Sequence, residues 1–221
     1  MAREEKLNFE LGLWKRHKLI AGIDEAGRGA LAGPIVVAAV ILPTYFYSPL
    51  IRDSKVLKPS QRSRAYKVIR KIALEYSVAI RGPREVESKN PLQTTKEAMV
   101  ETVLKLKNKP GFCLVDGKEE IIIPNIPTQS IIGGDRKSIN IAAASIVAKV
   151  TRDAIMRDSH KRYPQYDWES NKGYPNHTHL QAIFKHGICS LHRRTYEPIK
   201  SLVSGKINRE ILCQKYKCKI K

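Results

Sequence analysis

Two apolar runs near the start of the chain constrain its fold most. Leu19–Ile23 (LIAGI) and Ile35–Leu42 (IVVAAVIL) are short and rich in Ile and Val, with Gly and Pro punctuation between them. Runs of this length and composition read as strands built for burial. The first ends abruptly at Asp24-Glu25, and Gly27-Arg28-Gly29 follows at once. Adjacent carboxylates in such a setting are expensive unless something cationic meets them.

The rest of the chain says how such strands are covered. Pro59 can open a helix as its first residue, and PSQRSRAYKVIRKIAL then puts Ala65, Val68, Ile69, Ile72 and Ala73 on one face. Tyr76–Ile80 reads as a strand, and Leu92–Leu106 as a helix with Met99, Val100 and Val103 inward. Phe112–Val115 is a short strand ending at Asp116-Gly117. Ser130–Ile132 is a weaker one ending at Gly133-Gly134-Asp135. Ile139–Met156 is apolar nearly all round at first, as a buried central helix is, with Ser138 as N-cap. Asn176 likewise caps a helix whose Leu180, Ile183 and Phe184 share a face and which Gly187 stops. Two adjacent strands, then strands alternating with helices, predict an α/β fold with a mixed sheet covered by helices. Residues 1–200 are expected to form one catalytic domain, helical from about residue 160, and 201–221 a basic tail.

Composition bears on the partner. Among 221 residues, 40 are Lys or Arg against 21 Asp or Glu, a formal charge of +19. A balanced Lys/Glu surface would serve solubility, but this excess suits a polyanion, nucleic acid first and an anionic membrane surface second. The N-terminal segment mixes charges and has no apolar signal core, and Ile35–Leu42 is far too short to span a bilayer. The expectation is a cytoplasmic monomer with no membrane role. Cys113, Cys189, Cys213 and Cys218 show no CxxC spacing and read as reduced thiols.

On this map Asp24 and Glu25 end the first strand, Asp116 ends a central one, and Asp135 stands between a strand and the buried helix. Strand carboxyl ends are where crevices form in open α/β sheets. Carboxylates converging there repel one another, and an oxygen-rich set of this kind suits Mg2+ or Mn2+. A basic chain with an acidic pocket is a candidate metal-dependent nuclease, in which two ions about 3.5–4 Å apart drive phosphodiester displacement. Taken singly, each acid has a plainer reading. Asp116-Gly117 can be a turn, and Asp135 a helix cap. The Asp24-Glu25 pair is harder to explain that way.

GIDEAGRGALAGP, DSKVL at Asp53–Leu57, LVDG at Leu114–Gly117 and GGDRKSINIAAASIVAKVTRD at Gly133–Asp153 follow in order. NKGYPNHTHLQAI at Asn171–Ile183 and HRRTYEPI at His192–Ile199 complete the series. Together they resemble the signature of the type 2 ribonucleases H, specifically the bacterial ribonuclease HII family, over nearly the whole chain. The resemblance implies a ribonuclease H-like fold with a central mixed β-sheet flanked by helices and a helical C-terminal part. It implies a Mn2+- or Mg2+-dependent endonuclease that cuts the RNA strand of RNA–DNA hybrids, and single ribonucleotides in duplex DNA, leaving 5′-phosphate and 3′-hydroxyl ends. By the same resemblance Asp24, Glu25, Asp116 and Asp135 are the metal-binding and catalytic carboxylates. Gly27, Arg28 and Gly29 read the 2′-hydroxyl, and Tyr174 helps recognise the RNA–DNA junction. The chain departs from the family pattern at Ala30, where proline is common, and at Asn140, where serine is expected. It also departs at Pro175-Asn176, where a small residue and threonine are usual.

The recognition residues also make physical sense. The 2′-hydroxyl distinguishes RNA from DNA, and glycines let a backbone approach it closely while an Arg forks onto phosphate. A plain turn would need no Arg. Tyr174 offers an aromatic platform with a hydroxyl, or else a core tyrosine. Lys55, Ser145, Lys149, Arg193 and Arg194 are candidate phosphate or hydrogen-bonding residues. Ser145 and Lys149 share a helix face, and Lys149 either meets phosphate or neutralises the acids. His177 and His179 lie on different faces and are discounted as a metal pair, and His160, His186 and His192 show no partner. Two alternatives remain. One is a ribonuclease HIII-like hybrid nuclease, disfavoured because so little chain precedes Leu19. The other is a non-catalytic nucleic-acid-binding module, disfavoured because all the acids are present.

Overall fold

In a computed structural model, residues 9–206 and 208 are described. A short helix, α1, covers residues 9–14. It is followed by β1 (Ile20–Ala26), β2 (Ile35–Ile41), α2 (Pro59–Ile72), β3 (Glu75–Arg81), α3 (Pro83–Lys89), α4 (Pro91–Leu104), β4 (Phe112–Asp116) and β5 (Thr128–Ile131). Then come α5 (Gly134–Lys137), α6 (Ile139–Arg162), a turn of 3-10 helix at Pro164–Tyr166, α7 (Trp168–Asn171), α8 (His177–His186) and α9 (Ile199–Val203).

The strands form one mixed sheet in the order β3-β2-β1-β4-β5. β1 pairs antiparallel with β2 and parallel with β4, and β4 pairs parallel with β5. Every residue of β2 is buried, as its unbroken apolar run requires. β1 runs further than its apolar stretch, because pairing continues through Asp24↔Ala38 and Glu25↔Val37. The two acids are therefore strand residues, not part of the turn that follows.

The chain divides into two compact units. The first comprises residues 1–26, 36–80 and 95–151, and the second comprises residues 27–35, 81–94 and 152–221.

In the first unit the start of α6 lies hard against β1. A Cβ on Gly22 would sit 2.0 Å from the Asn140 carbonyl carbon, so only glycine admits this approach. Ser138 caps α6 by accepting from Ile141 N–H at 3.1 Å. Asn140, the departure from the family's serine, has a structural task. Its Oδ1 accepts from Leu42 N–H at 2.8 Å, and its Nδ2 donates to the buried Glu10 Oε1 at 2.9 Å. Trp14, Ile20, Leu114, Ile131 and Ile141 form a core here.

The second unit has its own core, in which Leu31, Met156, Tyr166, Trp168, Leu180 and Ile183 pack together. Asn176 caps α8 by accepting from His179 N–H at 2.9 Å, so asparagine does here what the family's threonine would do. The basic stretch 201–221 lies mostly outside the described residues, as do Cys213 and Cys218. Cys113 and Cys189 are free thiols.

Candidate active site

The first unit gathers the acids. β1 and β4 run parallel with Ile23 opposite Val115, which leaves Asp24 and Asp116 at the same end of adjacent strands. Asp116 accepts from Gly134 N–H at 2.7 Å, so the residue next to it, Asp135, is held at the same strand end. Asp24 and Asp135 are almost wholly buried, at 4% and 2% exposure. Burial pushes the Asp24 carboxyl well above the usual carboxylate range, and repulsion from Glu25 and Asp116 adds to it. Burial also raises Asp135, with Asp53 and Asp116 contributing and Lys55 opposing.

The loop after β2 serves the same place. Ser54 and Ser145 share a hydrogen bond of 2.8 Å, and Ser145 also hydrogen-bonds Asp24. Lys55 Nζ stands 3.7 Å from Asp135 Oδ2. Burial works against the Lys55 ammonium, but the surrounding Asp135, Asp24, Asp116 and Asp53 outweigh it and raise its pKa. Asp53 itself accepts from Lys55 N–H at 2.8 Å and hydrogen-bonds Asp135. It is an additional acid here that sequence reasoning passed over, although it opens the DSKVL motif. Lys149 is half-buried on α6.

This donor set fits a divalent cation. Hard carboxylate oxygens, destabilised as anions by burial and mutual repulsion, are what such an ion relieves, and the Lys55 ammonium beside Asp135 already does so in part. Among the described residues no group of three or more His, Cys, Asp or Glu side chains is already gathered closely enough to hold a metal ion.

The second unit holds Gly27, Arg28, Gly29, Tyr174 and Arg193. Gly27 has φ +94°, and a Cβ there would lie 1.9 Å from Arg152 Nε, so glycine is obligatory. Gly29 differs. A Cβ on it would meet nothing within 4 Å, and no positive φ calls for glycine. Arg28 and Gly29 are exposed.

Arg193 is not placed as a phosphate contact. Its side chain is fully buried, donating from Nε and Nη2 to Gly33 O and from Nη1 to Arg28 O at 2.9 Å. Burial lowers its pKa to about 10, which still leaves it charged at neutral pH. It supports the Arg28 loop from beneath, because its planar fork suits several carbonyls at once. Arg194 is tied by its backbone N–H to Glu87.

Arg152, buried like Arg193, donates to Pro34 O at 2.9 Å and Ala32 O at 3.1 Å, and its guanidinium lies 5.0 Å from the Tyr174 ring centre. Tyr174 is half-buried, so it is not a core tyrosine. His192 has the partners that its sequence position did not reveal, namely Cys189 and His179.

The match to known proteins decides the family. The ribonuclease HII family model covers residues 21–198. The chain belongs to the ribonuclease HII family. It is 47% identical over 183 residues to the ribonuclease HII of Mycoplasma mycoides subsp. mycoides SC, covering 83% of this chain and 88% of that protein. Its fold is that of the ribonuclease H2 from Pyrococcus horikoshii OT3, with a TM-score of 0.71 at 24% identity over 90% of this chain and 99% of the other. Bst-RNase HIII in complex with Mn2+ shares the fold more distantly, with a TM-score of 0.61 at 17% identity over 84% and 69% of the two chains. Family membership and the mixed five-stranded sheet both agree with what the motifs implied.

Proposed function

We propose that this chain is a divalent-metal-dependent endoribonuclease that cuts the RNA strand of RNA–DNA hybrids and also cuts at single ribonucleotides embedded in duplex DNA. The observation that carries this is the strand-end set Asp24, Glu25, Asp116 and Asp135, in which Asp24 and Asp135 are buried and Asp116 repels both, in a chain of the ribonuclease HII family. Mn2+ or Mg2+ bound by these carboxylates would supply an activated water and charge stabilisation for in-line phosphodiester displacement, leaving 5′-phosphate and 3′-hydroxyl ends.

The chain's own groups prepare that chemistry. The Ser145 hydroxyl orients Asp24, and Gly134 N–H orients Asp116. Lys55, largely exposed but close to Asp135, is positioned to meet a phosphate as well as an acid. A Cβ on Gly29 would meet nothing within 4 Å among the described residues, which suits close approach to a ribose. Arg28 carries a fork for phosphate, with its backbone carbonyl held by Arg193. Tyr174 offers its ring at the RNA–DNA junction. The +19 charge supports salt-dependent attraction to the duplex. We place the protein in the cytoplasm as a monomer whose residues 1–200 act as one catalytic domain. Among the described residues no helix is long and apolar enough to cross a membrane.

The test is a duplex carrying one ribonucleotide, incubated with the protein and Mg2+ or Mn2+. Incision at that ribonucleotide is expected. Cutting of long hybrids alone would favour the ribonuclease HIII-like reading. No cutting with either ion, by protein shown to be folded, would overturn the proposal.

A further inference from the structure

Tyr174 is mounted on a buried chain of side chains that the proposed chemistry does not itself use. All of it lies in the second unit. The Tyr174 carbonyl accepts from Asn176 N–H at 2.8 Å and lies 3.0 Å from His179 Nδ1. His179 Nε2 lies 3.0 Å from Trp168 Nε1 and 3.2 Å from His192 Nε2. His192 Nδ1 accepts from Cys189 N–H at 3.0 Å.

These contacts fix the protons. A carbonyl only accepts, so His179 carries its hydrogen on Nδ1 and donates to Tyr174. Its Nε2 is then an acceptor, as the Trp168 indole N–H requires. His192 accepts at Nδ1, so its hydrogen is on Nε2 and points to His179. Both rings are neutral, and the single lone pair of His179 Nε2 is shared between the Trp168 and His192 N–H groups. The alternative tautomer of either ring would set two donors or two acceptors face to face. His179 and Trp168 are fully buried and His192 nearly so, which keeps water from competing for these bonds. The neighbouring Gly173 is stitched in as well. Its carbonyl accepts from Leu31 N–H at 2.8 Å, and its φ of +80° sets the chain direction into Tyr174.

We infer that His179, oriented by Trp168 and His192, is a positioning residue that sets the presentation of Tyr174 and thereby the preference for single-ribonucleotide junctions over long hybrids. This rests on the reading of Tyr174 as a junction-recognising residue. The relay holds the Tyr174 backbone from one side while Arg152 lies over its ring, so the tyrosine is located at both ends. A recognition ring mounted this way loses little freedom on meeting its substrate.

The two amide residues separate the functions of the imidazole. Gln places its terminal amide near the Nε2 position, so His179→Gln keeps an acceptor for Trp168 and loses the donor to Tyr174. Asn reaches only the Nδ1 position, so His179→Asn keeps the donor to Tyr174 and loses the relay. The readout is the ratio of kcat/KM on a single-ribonucleotide duplex to that on a long RNA–DNA hybrid, which is independent of the fraction of molecules folded. Losing one hydrogen bond that fixes geometry is expected to lower this ratio about fivefold to tenfold in His179→Gln. His179→Asn is expected to keep it within about twofold of wild type. Trp168→Phe, which removes the indole N–H with part of the ring system and keeps an aromatic ring, should shift the ratio in the same direction as His179→Gln by a smaller factor. Tyr174→Ala is the control. If it changes the ratio while His179→Gln and Trp168→Phe do not, the positioning role is wrong and the Tyr174 reading stands. If Tyr174→Ala leaves the ratio unchanged, both fall. Equal losses in kcat/KM on both substrates for His179→Gln would mark His179 as a core residue only and overturn the inference.

Discussion

The neutral histidine pair makes stability depend on pH by an amount that can be worked out. In the folded chain His179 titrates at about 4 because it is buried. His192 titrates at about 3 because it is buried and stands beside His179. In the unfolded chain both return to the ordinary 6.5. Between these limits the unfolded state binds more protons, so stability is lost as pH falls from about 7 toward about 4. At pH 5 each unfolded imidazole lies roughly 1.5 units below its pKa while the folded one is still neutral, which is about 2 kcal/mol per histidine and about 4 for the pair, relative to pH 7.5. Glu10, Asp24 and Asp135 act in the opposite sense. Their carboxyls are raised in the folded state, so acidification favours folding through them. Comparing wild type with His179→Gln cancels those terms and removes one imidazole. Urea unfolding at pH 7.5 and 5.0 should show wild type losing about 2 kcal/mol more than the variant on acidification, or roughly 4–8 °C in thermal midpoint for a chain of this size. Equal losses in the two proteins would refute the buried neutral pair.

Two further changes probe the packing that positions the acids. Gly22→Ala places a methyl group against the backbone of Asn140 and Ile141, which cannot swing aside as a side chain can, so β1 or α6 must shift. A loss of about 1–3 kcal/mol is expected in urea unfolding, with reduced cleavage because Asp24 moves with β1. Asn140→Ala leaves Leu42 N–H without its acceptor and Glu10 with one donor fewer. A loss of about 2 kcal/mol by thermal or urea unfolding is expected, and an unchanged midpoint would remove Asn140 from the account.

Much of the fold was legible because its central strands and helix are apolar runs that only burial explains. Ile35–Leu42, Phe112–Val115 and the start of Ile139–Met156 were each recognisable on that ground, and all three are buried apart from the half-buried Phe112. The acids stood out by contrast, since Asp24 and Asp116 interrupt or end such runs. What was hidden depended on long-range packing. The helix α3 buries only Val86 and has no periodicity to read. His179 and His192 are brought together by the chain passing through Gly187 and Cys189, and no spacing rule marks that pair. Arg193 reads in sequence as a candidate phosphate or hydrogen-bonding residue, and Arg152 carries no signal of its own. Both are buried, and both donate to backbone carbonyls of the Arg28–Pro34 segment. Asp53 was overlooked because a lone Asp-Ser-Lys is a common turn sequence, and its tie to Asp135 needs the fold.

The central claim is that the strand-end carboxylates are the catalytic centre. Asp116→Asn tests it most directly. The amide keeps an oxygen for Gly134 N–H and nearly the same shape, but it removes the charge. Wild type and variant are compared on a duplex with one ribonucleotide in Mn2+ and in Mg2+, with hybrid binding measured in parallel. The account predicts that the variant binds within a few-fold of wild type and that its cleavage falls below detection with either ion. Cleavage at the wild-type rate by Asp116→Asn would contradict it.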